Sequence, residues 1–590
     1  MPNRRFLCVP LLFTACGASP TPPPTQTPLD HAQVSDQKPA KVERPPGLAA
    51  WLHVENPQRL AALMDRIGPA AADASCAKGD PRACLALADP RAPVDVALAP
   101  SDGHDDAQAS AFSVQSLSAF RAAADKDFQV TQPRPGRLVL GTKPKAPEAK
   151  AASPVVCDVS AAEGSAHRVV CGNEEGVTRL GPWLLTSPHF GRSEAATGLP
   201  GRSDAIARME VYKEPLVALA DKRLAGDTSL QRETRLLAHD FGGATLELTG
   251  DAADAQIALD VDVRMQDSQS RWTKVLLAPV DTPAAIPDTF ARLPVDTTAA
   301  LYVPGGGPFV ALLDPLFAEL ALDPAKAKPV LDEARAVLGR PMVCGYAVDL
   351  DDGRAALAKL RKAPEKDRKN AEKALNEALT GHVVCGVQEP AKAAEQLARN
   401  LARLAPPSPD ETYAVRPAAG LGLPNGSFLV ETTHRKAASS ASKPSTHTST
   451  TLAVADGSTT WLVFADDASD VRRAARLSAR LLADPKKTVS PFSVTQGTVL
   501  TGYVTTLLGA FFWDLAMREF DGVERSLATT SPGRLGVAIA QHVASPGGSL
   551  SLHLSTDAAS LPTLAVRAGV LALPIALLIA ATAGSDSPSK

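Results

Sequence analysis

Cysteine spacing is the feature of this sequence that points most directly to chemistry. Cys157 and Cys171 lie symmetrically about Gly164 in a pattern typical of a β-hairpin. Residues that face each other across two strands have the separation that a disulfide needs, so we expect these two to be bonded. Cys344 and Cys385 each stand between Val and Gly in two apolar stretches, which predicts a second cross-strand pair.

Two further cysteines, Cys76 and Cys84, flank a turn at residues 79–81. Besides Cys8 and Cys16 near the start of the chain, the sequence therefore contains six cysteines. An even number in an exported protein favours a disulfide framework. We expect sequential pairing, which is Cys76–Cys84, Cys157–Cys171 and Cys344–Cys385.

The common motifs of metal, nucleotide and hydrolytic sites are missing. The sequence has no Cys-x-x-Cys, no His-Glu-x-x-His, no Gly-x-Ser-x-Gly, no Walker loop and no dinucleotide-binding fingerprint. The acidic run Asp349 to Asp352 resembles a calcium loop, but Leu360 stands where that loop needs a Glu. We therefore predict no metal site, no cofactor and no catalytic residue, although a triad assembled from distant residues stays open.

The N-terminus has the composition of an export signal. Arg4 and Arg5 precede an apolar run, residues 6–13, that is too short to span a bilayer. The next residues, Phe13-Thr14-Ala15-Cys16, resemble the lipobox of bacterial lipoproteins, in which the cysteine is lipidated and becomes the first residue of the mature chain. This resemblance implies a signal peptide at residues 1–15 and a membrane anchor through lipid on Cys16; a plain secretory leader is the alternative.

The position after Cys16 bears on the destination. Gly17 stands where an Asp would imply retention in the inner membrane, so the resemblance implies the bacterial cell envelope, with the outer membrane favoured. Residues 16–46 are rich in Pro, which favours an extended, semi-rigid and disordered linker. We expect this linker to hold the folded part of the chain away from the membrane.

Composition limits the class of partner. Lys and Arg number 61 against 64 Asp and Glu, so the net charge is −3. A nucleic-acid-binding protein needs a basic field, so no nucleic-acid partner is expected. The hydrophobic content of 45% is that of a globular chain.

Periodicity predicts two tandem α+β domains, at residues 47–285 and 295–560. Each begins with a strand, near Trp51 and near Leu301, that is followed by a helix. Each then contains a hairpin and helix, another strand and helix, and closing strands that alternate apolar and polar residues. Such alternation predicts antiparallel sheets covered by helices on one face. The matching order favours an internal duplication, although strand–helix order also recurs by chance in α+β chains.

Two stretches interrupt this match between the domains. Residues 354–380 are rich in Lys, Glu and Ala and predict a solvated helical insertion. Residues 436–450 are rich in Ser and Thr and predict a hairpin loop.

Two apolar stretches lie near the C-terminus. The first predicts a helix that is apolar nearly all round, which is either buried or offers a contact surface to a partner or lipid. Its residues are Leu507, Leu508, Phe511, Phe512 and Trp513. The second, residues 565–584, predicts an apolar helix ahead of a polar tail at 585–590. Three placements of this second helix remain open: packing on the second domain, membrane insertion, or docking on a partner.

Taken together, these features favour a non-enzymatic lipoprotein of the envelope that acts as a stalked binding or structural module. Its partner would be an envelope protein, a polymer or a lipid. The alternatives are a carrier or chaperone of an apolar ligand and, less favoured, a hydrolase with a site assembled from distant residues. The body of the chain resembles the envelope lipoproteins of Ala- and Pro-rich bacterial proteomes, a resemblance that implies no activity.

Overall fold

The structure of the protein is a computed structural model that describes residues from Arg44 to Asp557, with gaps. The gaps are 68–87, 101–105, 143–154, 160–166, 187–204, 225, 227, 251–255, 281–285, 294–296, 315–323, 380, 389–393, 397, 400–410, 437–444, 466–467, 484–491, 493, 506–533 and 545–546. The predicted leader and the apolar stretches near the C-terminus lie outside the described residues.

The described chain divides into two compact units, and the boundary falls between Val263 and Arg264. The sequence placed this boundary later, at residues 283–294. The intervening segment belongs to the second unit because its side chains pack there. Phe290 lies in the core of that unit, and the carbonyl of Ala278 accepts a hydrogen bond from Gln541 Nε2 at 2.7 Å.

Ten strands form the sheet of the first unit. They are β1 (Ala50–Val54), β2 (Val94–Ala99), β3 (Ala107–Val114), β4 (Phe128–Arg134), β5 (Arg137–Thr142), β6 (Val155–Val159), β7 (His167–Gly172), β8 (Ala205–Val211), β9 (Phe241–Gly250) and β10 (Gln256–Met265). Their spatial order is β4-β5-β6-β7-β3-β2-β1-β8-β9-β10. Neighbours from β4 to β9 pair antiparallel, so β1 lies in the middle of the sheet, between β2 and β8.

Within the described residues of the first unit, five helices connect these strands. They are α1 (Pro57–Ile67), α2 (Leu117–Asp127), α3 (Glu174–Thr186), α4 (Lys213–Arg223) and α5 (Ser229–Asp240). Side-chain caps stabilise the N-termini of two of these helices. At the start of α1, Asn56 Oδ1 accepts a hydrogen bond from the backbone N–H of Arg59 at 2.9 Å. At the start of α5, Thr228 and Gln231 form a capping box. Helix α3 packs on the sheet through Val177, Leu180 and Leu184, which lie in one buried cluster with Trp51.

Ten strands also form the sheet of the second unit. They are β11 (Thr297–Val303), β12 (Met342–Ala347), β13 (His382–Val387), β14 (Glu411–Pro417), β15 (Phe428–Lys436), β16 (Ser445–Asp456), β17 (Thr459–Ala465), β18 (Thr498–Thr505), β19 (Arg534–Val543) and β20 (Gly548–Asp557). Their order is β14-β15-β16-β17-β13-β12-β11-β18-β19-β20, with every pair antiparallel. This order repeats that of the first unit strand for strand.

The helices of the second unit are α6 (Arg271–Leu276), α7 (Gly307–Ala311), α8 (Pro324–Leu338), α9 (Leu350–Lys362), α10 (Glu365–Leu379) and α11 (Ala468–Ala483), and a 3₁₀ turn covers Asp288–Arg292. Helix α11 follows β17 as α3 follows β7. The predicted helical insertion is present as α9 and α10. The predicted loop at 436–450 is shorter than expected, because residues 445–450 continue β16 and pair with β15. The β-branched Thr residues of that stretch suit an extended strand.

The mixed α+β class and the antiparallel strands are thus confirmed. Asp456-Gly457, a dipeptide typical of hairpin turns, forms the turn between β16 and β17. Asp456 pairs with Thr459, and Gly457 has a φ of 57°, which a residue with a Cβ adopts only with strain. Within the described residues, no helix combines the length and the apolar character needed to cross a membrane.

Two disulfides join neighbouring strands. Cys157 on β6 bonds to Cys171 on β7, and Cys344 on β12 bonds to Cys385 on β13. Both pairs occupy directly opposed register positions. Cys76 and Cys84 lie outside the described residues.

Loop length predicts how much each disulfide stabilises its unit. Cys344–Cys385 spans 41 residues and Cys157–Cys171 spans 14. On the chain-entropy relation, replacing the first pair by Ala should lower the free energy of unfolding by about 4 kcal/mol and replacing the second by about 3 kcal/mol. Urea unfolding of the two double variants without reductant measures both losses. Equal losses, or a larger loss for Cys157 and Cys171, would contradict the loop-length explanation.

Candidate functional site

One face of the first sheet carries an unusual row of ionisable side chains. Directly opposed residues of antiparallel strands lie on the same face of a sheet. His53 of β1 stands opposite Asp95 of β2 on one side and opposite Arg208 of β8 on the other. Trp51, two residues before His53, stands opposite Glu210. The central strands thus bring residues far apart in sequence onto the face that α3 covers.

Asp95 is the centre of the first polar cluster and is only 1% exposed. It accepts hydrogen bonds from the indole Nε1 of Trp51 at 3.1 Å and from the Nη2 of Arg168, and its Oδ1 lies 2.7 Å from His53 Nδ1. A carboxyl group buried without partners is very costly, and these donors offset the cost of burying Asp95.

His53 lies between two carboxylates. Its Nδ1 is 2.7 Å from Asp95 Oδ1, and its Nε2 is 2.7 Å from Oε2 of the exposed Glu55. Carboxylates only accept hydrogen bonds, so both contacts are satisfied together only when both ring nitrogens carry a proton. Burial by itself lowers the pKa of His53, but the hydrogen bonds and charges of Asp95 and Glu55 outweigh it and raise the pKa above the ordinary 6.5.

Arg168 connects this cluster to helix α3. Its guanidinium pairs with Asp95, and its Nε donates to the backbone carbonyl of Leu184 at 2.9 Å. Trp183 of the same helix meets Trp51 edge-on, with ring centroids 6.2 Å apart. The polar cluster therefore also holds the helix against the sheet.

A second cluster lies on the neighbouring strands β8 and β9. Arg208 donates from Nε to Glu210 Oε1 and from Nη1 to Glu247 Oε1, both at 3.0 Å. The hydroxyl of Tyr212 donates to Glu210 Oε2 at 2.9 Å. Burial and the charge of Glu210 raise the pKa of Tyr212 far above its usual value, so this hydroxyl stays protonated and remains a donor.

The end of the Pro-rich segment meets this second cluster. The guanidinium of Arg44 lies over the ring of Tyr212, 4.2 Å from its centroid, and Arg44 Nη2 is 3.3 Å from Glu214 Oε2. The backbone N–H of Tyr212 donates to the carbonyl of Ala49 at 2.9 Å. These contacts fix where the chain enters strand β1.

The corresponding face of the second unit is apolar. It is lined by Ala300, Tyr302, Val343, Val384, Trp461, Val463 and Tyr503, with Ala474, Ala475 and Leu477 of α11 packed in the same cluster. The Tyr302 hydroxyl is fully buried and makes no hydrogen bond. The buried charges are therefore a property of the first unit and not of the shared strand order.

The polar atoms of the charged face are directed at one another within each cluster. Asp95 pairs with His53 and Arg168, and Glu210 pairs with Arg208 and Tyr212. Over the part of the chain that the structure describes, no three His, Cys, Asp or Glu residues are placed to hold a metal ion. The raised pKa of His53 makes the contribution of this network to stability depend on pH.

Some of the predicted site residues lie in the described part of the chain, and the others lie outside it. Cys157, Cys171, Cys344 and Cys385 form the two disulfides described above. Cys16, Cys76 and Cys84 lie outside the described residues. So do Leu507, Leu508, Phe511, Phe512 and Trp513 of the predicted contact surface.

Sequence reasoning predicted a strand near Trp51, but it did not predict the charged network of His53, Asp95 and Arg168. The available signal was the appearance of charged residues at alternating positions inside apolar strands, as in Arg208 and Glu210.

Neither a known protein family, nor a curated protein, nor a solved structure matches this chain.

The raised pKa of His53 predicts a specific dependence of stability on pH. A group whose pKa is higher in the folded state stabilises the fold fully below its unfolded pKa of about 6.5 and loses that contribution as pH rises through the folded value. The melting temperature should therefore contain a component that falls above pH 6.5 and that His53→Gln removes.

The control for this measurement is Glu55→Gln. Glu55 is 65% exposed at its side chain and provides the weaker of the two partners, so its loss should reduce the pH-dependent component without removing it. A His53→Gln variant with the same pH profile as the unaltered protein would show that His53 does not carry the effect.

Proposed function

We propose that this protein is a non-enzymatic lipoprotein anchored in the bacterial cell envelope, with its folded units acting as a stalked binding or structural module. The observation that carries the proposal is the leader that ends in Phe13-Thr14-Ala15-Cys16, followed by a Pro-rich segment. Lipid on Cys16 would bury methylenes in the bilayer at about 0.8 kcal/mol each.

The disulfides support export. Cys157–Cys171 and Cys344–Cys385 both link strands inside folded units. Such bonds persist in oxidising compartments and are rare in the reducing cytosol. Two separate regions of the chain, the leader and the folded units, therefore both favour a location outside the cytoplasm.

The contacts of Arg44 support a stalk. This residue closes the Pro-rich segment, and it is held against Tyr212 and Glu214 of the first unit. An extended segment of Pro-rich chain rises about 3.1 Å per residue, so it would keep the units well clear of the membrane. The module would then reach partners that a directly anchored domain could not.

We also infer that the two units arose by internal duplication. The support is that strands β1–β10 and β11–β20 occur in the same spatial order, with helices α3 and α11 at matching places between strands. Ten strands in one order would seldom coincide by chance. In an experimentally determined structure, β1 should superimpose on β11 with β8 on β18, and a displaced β11 would contradict this inference.

A second candidate function is the carriage of an apolar ligand. It is favoured by a patch on the second unit where Leu301, Val383 and Phe464 are 38%, 42% and 41% exposed. Val383 and Phe464 adjoin the paired residues Val384 and Val463 on neighbouring strands. Native mass spectrometry of the protein extracted from its envelope distinguishes the two functions, because a carrier would retain lipid or another apolar molecule.

The anchoring proposal is tested by Cys16→Ala in the producing bacterium. Loss of the lipid attachment site should leave the precursor unprocessed or release the protein from the membrane fraction. Incorporation of a radiolabelled fatty acid should also disappear, while a Cys8→Ala control keeps both label and location. Membrane retention of a fully processed Cys16→Ala chain would overturn the proposal.

A further inference from the structure

The helical hairpin formed by α9 and α10 distinguishes the second unit from the first. It is inserted between β12 and β13, and only Ala363 and Pro364 separate its two helices. At the corresponding place in the first unit, residues 100–106 alone connect β2 to β3. The shared fold therefore does not need the hairpin, and an added element of this size calls for a role of its own.

The base of the hairpin is firmly held. Cys344–Cys385 joins the two strands that enter and leave it. Val348, Leu360, Leu375 and Leu379 form a buried cluster between its helices. Helix α9 starts directly after β12 and has 13 residues, so the connection lies about 20 Å along the helix axis from that start.

The far end of the hairpin is strongly basic. Residues 359–373, which we call the tip, contain seven Lys and Arg residues against three carboxylates, although the whole chain carries a net charge of −3. Four lysines of the tip are exposed and have no carboxylate partner among the described residues: Lys359, Lys362, Lys366 and Lys369. Two of the tip's other cations, Arg368 and Lys373, lie near Glu372 and Glu377 at 3.5 and 3.7 Å.

The composition of the tip indicates the kind of partner. Five of its seven cations are Lys, which act as hydrated point charges, whereas specific recognition of a single phosphate usually relies on the planar fork of Arg. Leu360 of the tip is buried between the helices, and the connection itself is Ala363 and Pro364, so the tip exposes no large apolar side chain that could insert into hydrocarbon. Several separate positive charges with no exposed large apolar side chain favour electrostatic binding to a broad anionic surface.

We propose that the tip binds the surface of an anionic lipid bilayer by electrostatic attraction. Clusters of four to eight basic residues bind such surfaces, each contributing about 1 kcal/mol within a Debye length of about 8 Å. The attachment is reversible and independent of lipid on Cys16. It brings the second unit to a membrane, whereas the Pro-rich segment connects the anchor to the first.

The test uses the chain from Gly17 to Lys590, which lacks both the leader and any lipid. Its binding is measured by co-sedimentation with vesicles of phosphatidylcholine alone and of phosphatidylcholine mixed with phosphatidylglycerol. The tip variant combines Lys362→Gln, Lys366→Gln and Lys369→Gln. We expect the unaltered chain to prefer the anionic vesicles and to lose that preference as salt rises, and the tip variant to bind them on the order of 100-fold more weakly.

The matched control removes the same number of charges from separate exposed positions through Arg121→Gln, Lys222→Gln and Lys274→Gln. This control should bind like the unaltered chain. A further variant with Arg at positions 362, 366 and 369 should restore binding, which separates lost charge from damaged folding.

Three results would overturn the proposal: equal binding to neutral and anionic vesicles, no dependence on salt, or equal weakening in the tip variant and its control. Binding to a purified envelope protein in place of the vesicles would assign the tip to a protein partner and would also refute it. None of these results bears on the anchor at Cys16, because the tested chain has no lipid.

Discussion

The neutralisation of one buried carboxylate governs the architecture of the first unit. Asp95 is almost wholly removed from water, and Trp51, His53 and Arg168 all direct donors at it. An unpaired charge at this depth would cost several kcal/mol, so the strands that supply these donors must stay in register. Through Arg168 the same requirement extends to the carbonyl of Leu184, and so to the seating of helix α3.

The second unit shows that the same strand order also permits an apolar face in place of the charged one. With the same ten-strand arrangement, the face beneath α11 is filled by Tyr302, Trp461, Val463 and other apolar side chains. Apolar packing gains stability from burial alone and is insensitive to pH, whereas the charged face depends on the protonation of His53. The two faces therefore give two similar sheets different responses to their surroundings.

The elements that differ between the units are those that point to function. The first unit receives the Pro-rich segment at Arg44 and holds a buried histidine whose pKa is raised by Asp95 and Glu55. The second carries the hairpin of α9 and α10 over a disulfide that closes 41 residues. A cross-link beneath an inserted element keeps the element fixed to the sheet, which suits a projecting contact surface. The two units thus share one strand order and differ in the contacts of Arg44 on the first and the exposed basic tip on the second.

The local features of this protein could be read from the sequence because each depends on residues close together in the chain. The hairpin of Cys157 and Cys171, the turn at Asp456-Gly457 and the helical insertion at residues 354–380 all belong to this group. The alternation of apolar residues also determined which strands have one buried face. The Cys344–Cys385 pairing was accessible too, since identical Val-Cys-Gly contexts marked both partners.

Only the tertiary structure decided which strands are neighbours, and with them the charged network. A side-chain period of two tells which residues share a face of one strand, but it carries no information about the strand alongside. His53 and Asp95 are 42 residues apart, and Arg168 reaches Asp95 from 73 residues away. The unit boundary was decided in the same way, because Phe290 joins the second core through contacts with Tyr302 and Trp461 that sequence spacing does not reveal.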